Sequence, residues 1–87
     1  MTFRIETVVR EKSTKFILSG RIETNAIVEL RRLLERQTDW RDIVLDLKDV
    51  SVVDRDAMGF LARCEADGVK LENLTPYIRE WMEREKD

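Results

Sequence analysis

The chain has 87 residues, and that length makes one domain over residues 1–87 the expectation. It is 43% hydrophobic and 39% charged, with 16 basic against 18 acidic side chains and a net charge of −2, a balance that argues against a nucleic-acid binder with a strongly basic face. The absence of histidine and the single cysteine remove the commonest general base and the usual zinc ligand sets, so no catalytic residue, metal or cofactor is expected.

Phe3 to Val9 alternates apolar and polar residues, as a half-exposed strand does. Arg10 to Thr14 is a polar hairpin connection. Lys15 to Leu18 forms the second strand, which Ser19-Gly20 is expected to break before Ile22 leads into a helix. Thr24 or Asn25 can cap that helix, since either side chain can accept from an unpaired first-turn N–H. Ala26, Ile27, Leu30, Leu33 and Leu34 recur at helical spacing, while Glu29, Arg31, Arg32, Glu35 and Arg36 cover the outer face. Thr38 to Arg41 connects back to the sheet, with Trp40 expected over the sheet edge or the helix end.

Asp42 to Lys48 is the third strand, and its nearly continuous apolar run suits a central position. An apolar turn over Val50, Val52 and Val53 is expected next. A second helix follows from Arg55 to Ala66, with Gly68 placed to terminate it in the left-handed conformation. Val69 to Leu71 is a short fourth strand. Thr75 caps a last helix whose first turn holds Pro76, and whose inward stripe is expected to be Tyr77, Ile78, Trp81 and Met82. Glu83 to Asp87 is a charged, fraying end. The order gives an α/β fold: about four mixed, centrally parallel strands, with right-handed crossovers and helices mainly on one face.

No run approaches the ~18 apolar residues of a membrane span, and no N-terminal stretch has a signal-peptide layout. Cys64 has no partner for an internal disulfide, which fits a reducing, cytoplasmic setting, and it is expected to be a small buried hydrophobe.

The segment from Asp42 to Leu61 carries the functional signal. A strand runs out into Asp54 and Asp56 at a helix start, where backbone N–H groups are unpaired and negative charge is favoured. As a metal or phospho-acceptor pair these two carboxylates lack acidic partners at separate strand ends and a lysine placed on the sheet. A glycosidase pair lacks a sugar cleft.

These residues resemble the STAS family, named for sulphate transporters and anti-sigma-factor antagonists. Leu18-Ser19-Gly20-Arg21-Ile22-Glu23 resembles the family's L-x-G-x-L-D, and Ile43-Val44-Leu45-Asp46-Leu47 its hydrophobic strand. Val53-Asp54-Arg55-Asp56-Ala57-Met58-Gly59-Phe60-Leu61 resembles the signature I-D-S-S-G-L-G-x-L. Gly68-Val69-Lys70-Leu71 and Thr75-Pro76-Tyr77-Ile78-Arg79 resemble the later G-x-x-L and S-P-x-V-R. By the resemblance, Asp87 falls before a last strand and helix that many members carry.

The resemblance implies a non-enzymatic protein-interaction module. Its partner would be an anti-sigma factor or related regulator, docked through Asp54, Arg55, Asp56, Ala57, Met58 and Phe60. The alternatives it leaves are a module sensing a small molecule or nucleotide, or a subunit of a larger assembly such as a transporter complex. The family's phosphorylated serine corresponds to Asp56 and the serine before it to Arg55, so no phosphorylation is expected at Asp56. Asp56 is either a partial stand-in for phosphoserine or simply a charge or cap at the helix start. Asp54 has the same capping alternative. Glu23 is a helix-start charge that could share this acidic edge. Met58 and Phe60 lie about 200° apart around the helix, which would leave one of them exposed unless both are partly buried.

Overall fold

The computed structural model describes residues 3–85. Seven regular elements and one short turn follow in order: β1 (Phe3–Val9), β2 (Thr14–Ile22), α1 (Thr24–Glu35), a 3-10 turn (Trp40–Asp42), β3 (Ile43–Val53), α2 (Arg55–Ala66), β4 (Lys70–Glu72) and α3 (Pro76–Glu85). The last two residues of the charged end, 86 and 87, lie outside the described residues.

The four strands form one sheet in the order β1-β2-β3-β4. β1 and β2 are an antiparallel hairpin, closed by a bond from the Arg10 N–H to the Ser13 carbonyl at 2.8 Å. β2–β3 and β3–β4 are parallel. Both crossovers step the same way across the sheet, so right-handed connections put α1 and α2 on one face. α3 packs beside α2.

Pleating decides what each face carries. Ile5, Leu18, Phe16, Leu45 and Leu71 project beneath the helices, as the register shows through the pairs Ile5↔Leu18, Phe16↔Leu45 and Leu45↔Leu71. They meet Ala26, Ile27, Leu30 and Leu34 of α1 and Met58, Leu61 and Cys64 of α2 in one core. The opposite face carries Lys15, Ile17, Val44, Asp46, Lys70 and Glu72.

Several expectations are corrected. Ser19-Gly20 does not end β2. Gly20 takes a φ of 85°, and register shifts on either side of Ser19-Gly20 keep the strand paired as far as Ile22↔Val53. β3 therefore extends to Val53, and Val50, Val52 and Val53 are strand rather than turn. The N-cap of α1 is Glu23, with no side-chain cap bond, and Thr24 is already helical. Tyr77 is 69% exposed, whereas Ile78 and Met82 are buried and Trp81 is half-buried. Tyr77 and Trp81, one turn apart on α3, bring their ring centroids to 6.2 Å at a tilt of 41°.

Other details follow the expected chemistry. The Trp40 indole N–H donates to the Leu34 carbonyl at 3.2 Å, satisfying a backbone acceptor left open at the end of α1. Thr75 Oγ1 accepts from the Ile78 N–H at 3.2 Å, capping α3. Gly68 has a φ of 110°, and a Cβ there would lie 2.9 Å from the Arg41 side chain.

Candidate functional site

The site is built where β2 and β3 end side by side. The Ile22↔Val53 pairing, with the Asp54 N–H bonded to the Ile22 carbonyl at 3.3 Å, makes Glu23 and Asp54 successors on neighbouring parallel strands. Glu23 is the N-cap of α1 and Asp54 the N-cap of α2. Glu23 is engaged by Arg21, Nη2 to Oε2 at 3.3 Å.

Capping of α2 falls to Asp54. Its Oδ1 accepts the Ala57 N–H at 2.8 Å, and its carbonyl accepts the first helical N–H, from Met58, at 2.9 Å. Asp56 sits in the first helical turn, exposed, and its side chain makes no hydrogen bond or ion pair among the described residues. The two aspartates therefore do different things. One closes a helix end, and the other holds its charge out to solvent. Arg55 between them is exposed and engaged within the protein.

The rest of the signature segment points the other way. Ala57 and Met58 have no exposed surface, and Phe60 retains 9%. Both Met58 and Phe60 are thus buried, because α2 is flanked by α1 on one side and α3 on the other. What a partner can touch is Asp54, Arg55, Asp56, Gly59 and the rim of Phe60, and Ala57 and Met58 support these from below. This surface opens into a groove of ≈ 480 Å³ between α1 and α2. The Arg31 guanidinium lies over the Phe60 ring, 5.4 Å from its centroid. Arg31 reads in the sequence as part of the outer face of α1, and nothing in the sequence singles out Arg63. Only the packing of α1 against α2 brings them to one groove.

Asp46 was also missed. It lies on the helix-free face of β3, only 8% exposed. Its Oδ1 accepts from Asn73 Nδ2 at 2.9 Å and from the Lys48 N–H at 3.0 Å, and Oδ2 lies 3.5 Å from Lys15 Nζ. Burial opposes its ionisation. The Asn73 amide, the Lys48 N–H and the Lys15 ammonium outweigh that and hold the carboxyl below the usual carboxylate range. The visible signal was a lone carboxylate inside an apolar strand.

Cys64 is buried, as its helical position implied, and burial pushes its thiol up to about 12. The reactive thiolate is then essentially absent near neutral pH. Iodoacetamide at pH 8 should leave Cys64 unmodified in the folded chain and label it at once in denaturant, as intact mass would show. Fast labelling of the native chain would place Cys64 outside the core. Among the described residues, no three His, Cys, Asp or Glu side chains are placed to hold a metal ion, and no helix is long and apolar enough to cross a membrane.

No protein-family model and no curated protein matches the chain. Among solved structures it is similar to the STAS domain of an antisigma-factor antagonist from Rhodobacter sphaeroides, with a TM-score of 0.56 at 11% identity over 85% of this chain and 97% of that one. The fold is that of a STAS domain. In this fold the β3–α2 junction holds Asp54 to Phe60, the segment whose residues resemble the STAS signature. The STAS sheet, mixed and centrally parallel with one antiparallel pair, is the architecture the order of elements implied.

Proposed function

We propose that residues 1–87 form one STAS-like domain acting as a non-enzymatic protein-interaction module in the cytoplasm, of the anti-sigma-factor-antagonist kind. It docks a signalling partner, an anti-sigma factor or related regulator, through the loop and helix start at Asp54–Phe60. Serine phosphorylation does not regulate it there, because Arg55 and Asp56 offer no hydroxyl.

One observation carries this reading. Asp56 has no structural duty that Asp54 does not already perform. Asp54 satisfies the open N–H of the first turn, and Asp56 adds only a dipole contribution of roughly 0.3–1 kcal/mol. Its charge is held outward at the mouth of a groove instead. A carboxylate carries about one charge where a phosphate carries ~1.5–2 and three acceptor oxygens, so its effect on a partner is that of a weaker, permanent phosphoserine.

Two variants separate recognition from capping. Asp54→Ala should lower the melting temperature by the equivalent of about 1 kcal/mol, the usual value of a lost N-cap. Asp56→Ser should leave melting nearly unchanged but alter affinity for the partner captured on the wild-type chain. The change should be largest at low salt, since exposed charges are screened within roughly 10 Å at 0.1 M. Lower melting with identical binding for Asp56→Ser would return Asp56 to a helix-end charge and remove the docking surface.

A further inference from the structure

α1 and α2 run side by side, and each turns one stripe into the groove between them. Ile27, Val28 and Arg31 come from α1, and Gly59, Phe60 and Arg63 come from α2. Ile27 and Phe60 form an apolar floor, and Val28, 51% exposed, extends it outward. Arg31 and Arg63 make no ion pair among the described residues, and they stand on opposite walls of a chain whose net charge is −2.

Gly59 supplies the independent observation. Glycine inside a helix is destabilising relative to alanine. Here nothing inside the chain requires it. Its φ is not positive, it is exposed, and a Cβ built on it would meet nothing within 4 Å. What it provides is bare backbone on the groove wall, which is useful only to something that comes into contact with it.

The geometry points to an acidic amphipathic helix of a protein partner as the occupant of the α1–α2 groove, seated against Gly59 with its carboxylates over Arg31 and Arg63. This rests on the interaction-module reading above and names the chemistry of the partner. Two 12-residue helices present a groove roughly 18 Å long, which matches about three turns of a docked helix with apolar residues on one stripe. Glu35 and Asp67 line the continuation of the groove at the C-terminal end of both helices. Together with Asp56, which lines the other end of the groove, they exclude acidic residues from both ends and so set the register of the occupant, with its carboxylates central over Arg31 and Arg63.

The test uses the full chain and two synthetic amphipathic peptides of about 14 residues, identical except that Glu flanks the leucine stripe in one and Lys in the other. Anisotropy reads affinity and amide shifts read location. The Glu peptide should bind with shifts on α1 and α2, weaken with salt, and outbind the Lys peptide by at least about tenfold. Gly59→Trp fills open space and should fold normally by circular dichroism, yet lose about tenfold or more in affinity. The pair Arg31→Glu with Arg63→Glu should do the same. Gly59→Ala should melt higher than wild type. Equal binding of the Lys peptide, shifts outside α1 and α2, unchanged affinity in Gly59→Trp, or no binding of either peptide overturns the acidic-helix occupant. So does a wild-type dimer that Gly59→Trp dissolves, because a second copy then fills the groove. In any of these cases the Asp56→Ser result still decides the docking reading on its own.

Discussion

Leu61→Ala should lower stability by about 3–4 kcal/mol, in the upper part of the range for leaving an alanine where a buried leucine was. Leu61 has no exposed surface. It lies on the central helix of the covered face, with the sheet beneath, α1 on one flank and α3 on the other. A cavity there is walled on every side, so the surroundings cannot collapse into it. Leu30, 1% exposed on the outer helix α1, has α2 on one side only, and Leu30→Ala should fall lower in the ~2–5 kcal/mol range. Glu35→Ala, on the solvent face, should change stability by less than ~0.5 kcal/mol. For a domain of this size each kcal/mol moves the melting temperature by roughly 4–8 °C, so Leu61→Ala should melt about 12–32 °C lower. Thermal melts of the three variants check the order. Equal melting temperatures would mean that α2 does not present Leu61 to the core.

Periodicity and end signals make most of the fold legible in the sequence alone. α2 follows from apolar Ala57, Met58, Leu61 and Cys64 at one helical stripe, bounded by Asp54 and Gly68, and both boundaries hold. What was not legible depends on tertiary pairing. Polar Asp49 and Ser51, just after Lys48, look like the exit from a strand. They stay in β3 because β2 absorbs the mismatch at Gly20, which can take a φ of 85° without a Cβ to clash. Thr24 looks like a cap because its side chain could accept, but the chain turns into the helix one residue earlier, at Glu23. Tyr77 fits the inward stripe on paper. It faces outward because Ile78 and Met82, one turn apart, are the residues that α3 turns into the core, and Tyr77 lies at the edge of that stripe beside the end of β3.

The candidate site divides the same way. Asp54 and Asp56 are chemically alike in the sequence, and only the 2.8 Å bond from the Ala57 N–H decides which of them caps. The groove could not be read at all. Arg31 and Arg63 are far apart in the chain, and each on its own helix is an ordinary polar-face arginine. Asp46 is the intermediate case. A carboxylate between Leu45 and Leu47 announces a special environment, but its partner Asn73 sits beyond a whole helix and strand, in a left-handed backbone conformation with φ 59°.

Asp46→Ala should cost about 2–3 kcal/mol, the second-largest effect expected. It removes a charged acceptor of two hydrogen bonds, each worth roughly 1.5–3 kcal/mol, while the partly exposed Lys15, Lys48 N–H and Asn73 recover some of that from water. Asp46→Asn keeps an oxygen for the Asn73 amide and the Lys48 N–H but loses the attraction of Lys15, so it should cost less. The pH dependence gives the sharper check. The folded carboxyl lies below its unfolded value, which is about 3.9. The folded state therefore binds fewer protons than the unfolded one in the window between those values. The stability from ionised Asp46 is fully present above about pH 4–5 and is lost as the pH falls through the folded pKa. A protonated carboxyl and the amide introduced by Asp46→Asn are close to equivalent, so the stability gap between wild type and this variant should be constant from about pH 5 to 7 and narrow below about pH 4. Lys15 also lies 3.3 Å from Glu72, so part of its pairing survives in either variant. A gap that stays constant down to about pH 2 would mean that the Asp46 carboxylate is no better solvated by its three partners than by water.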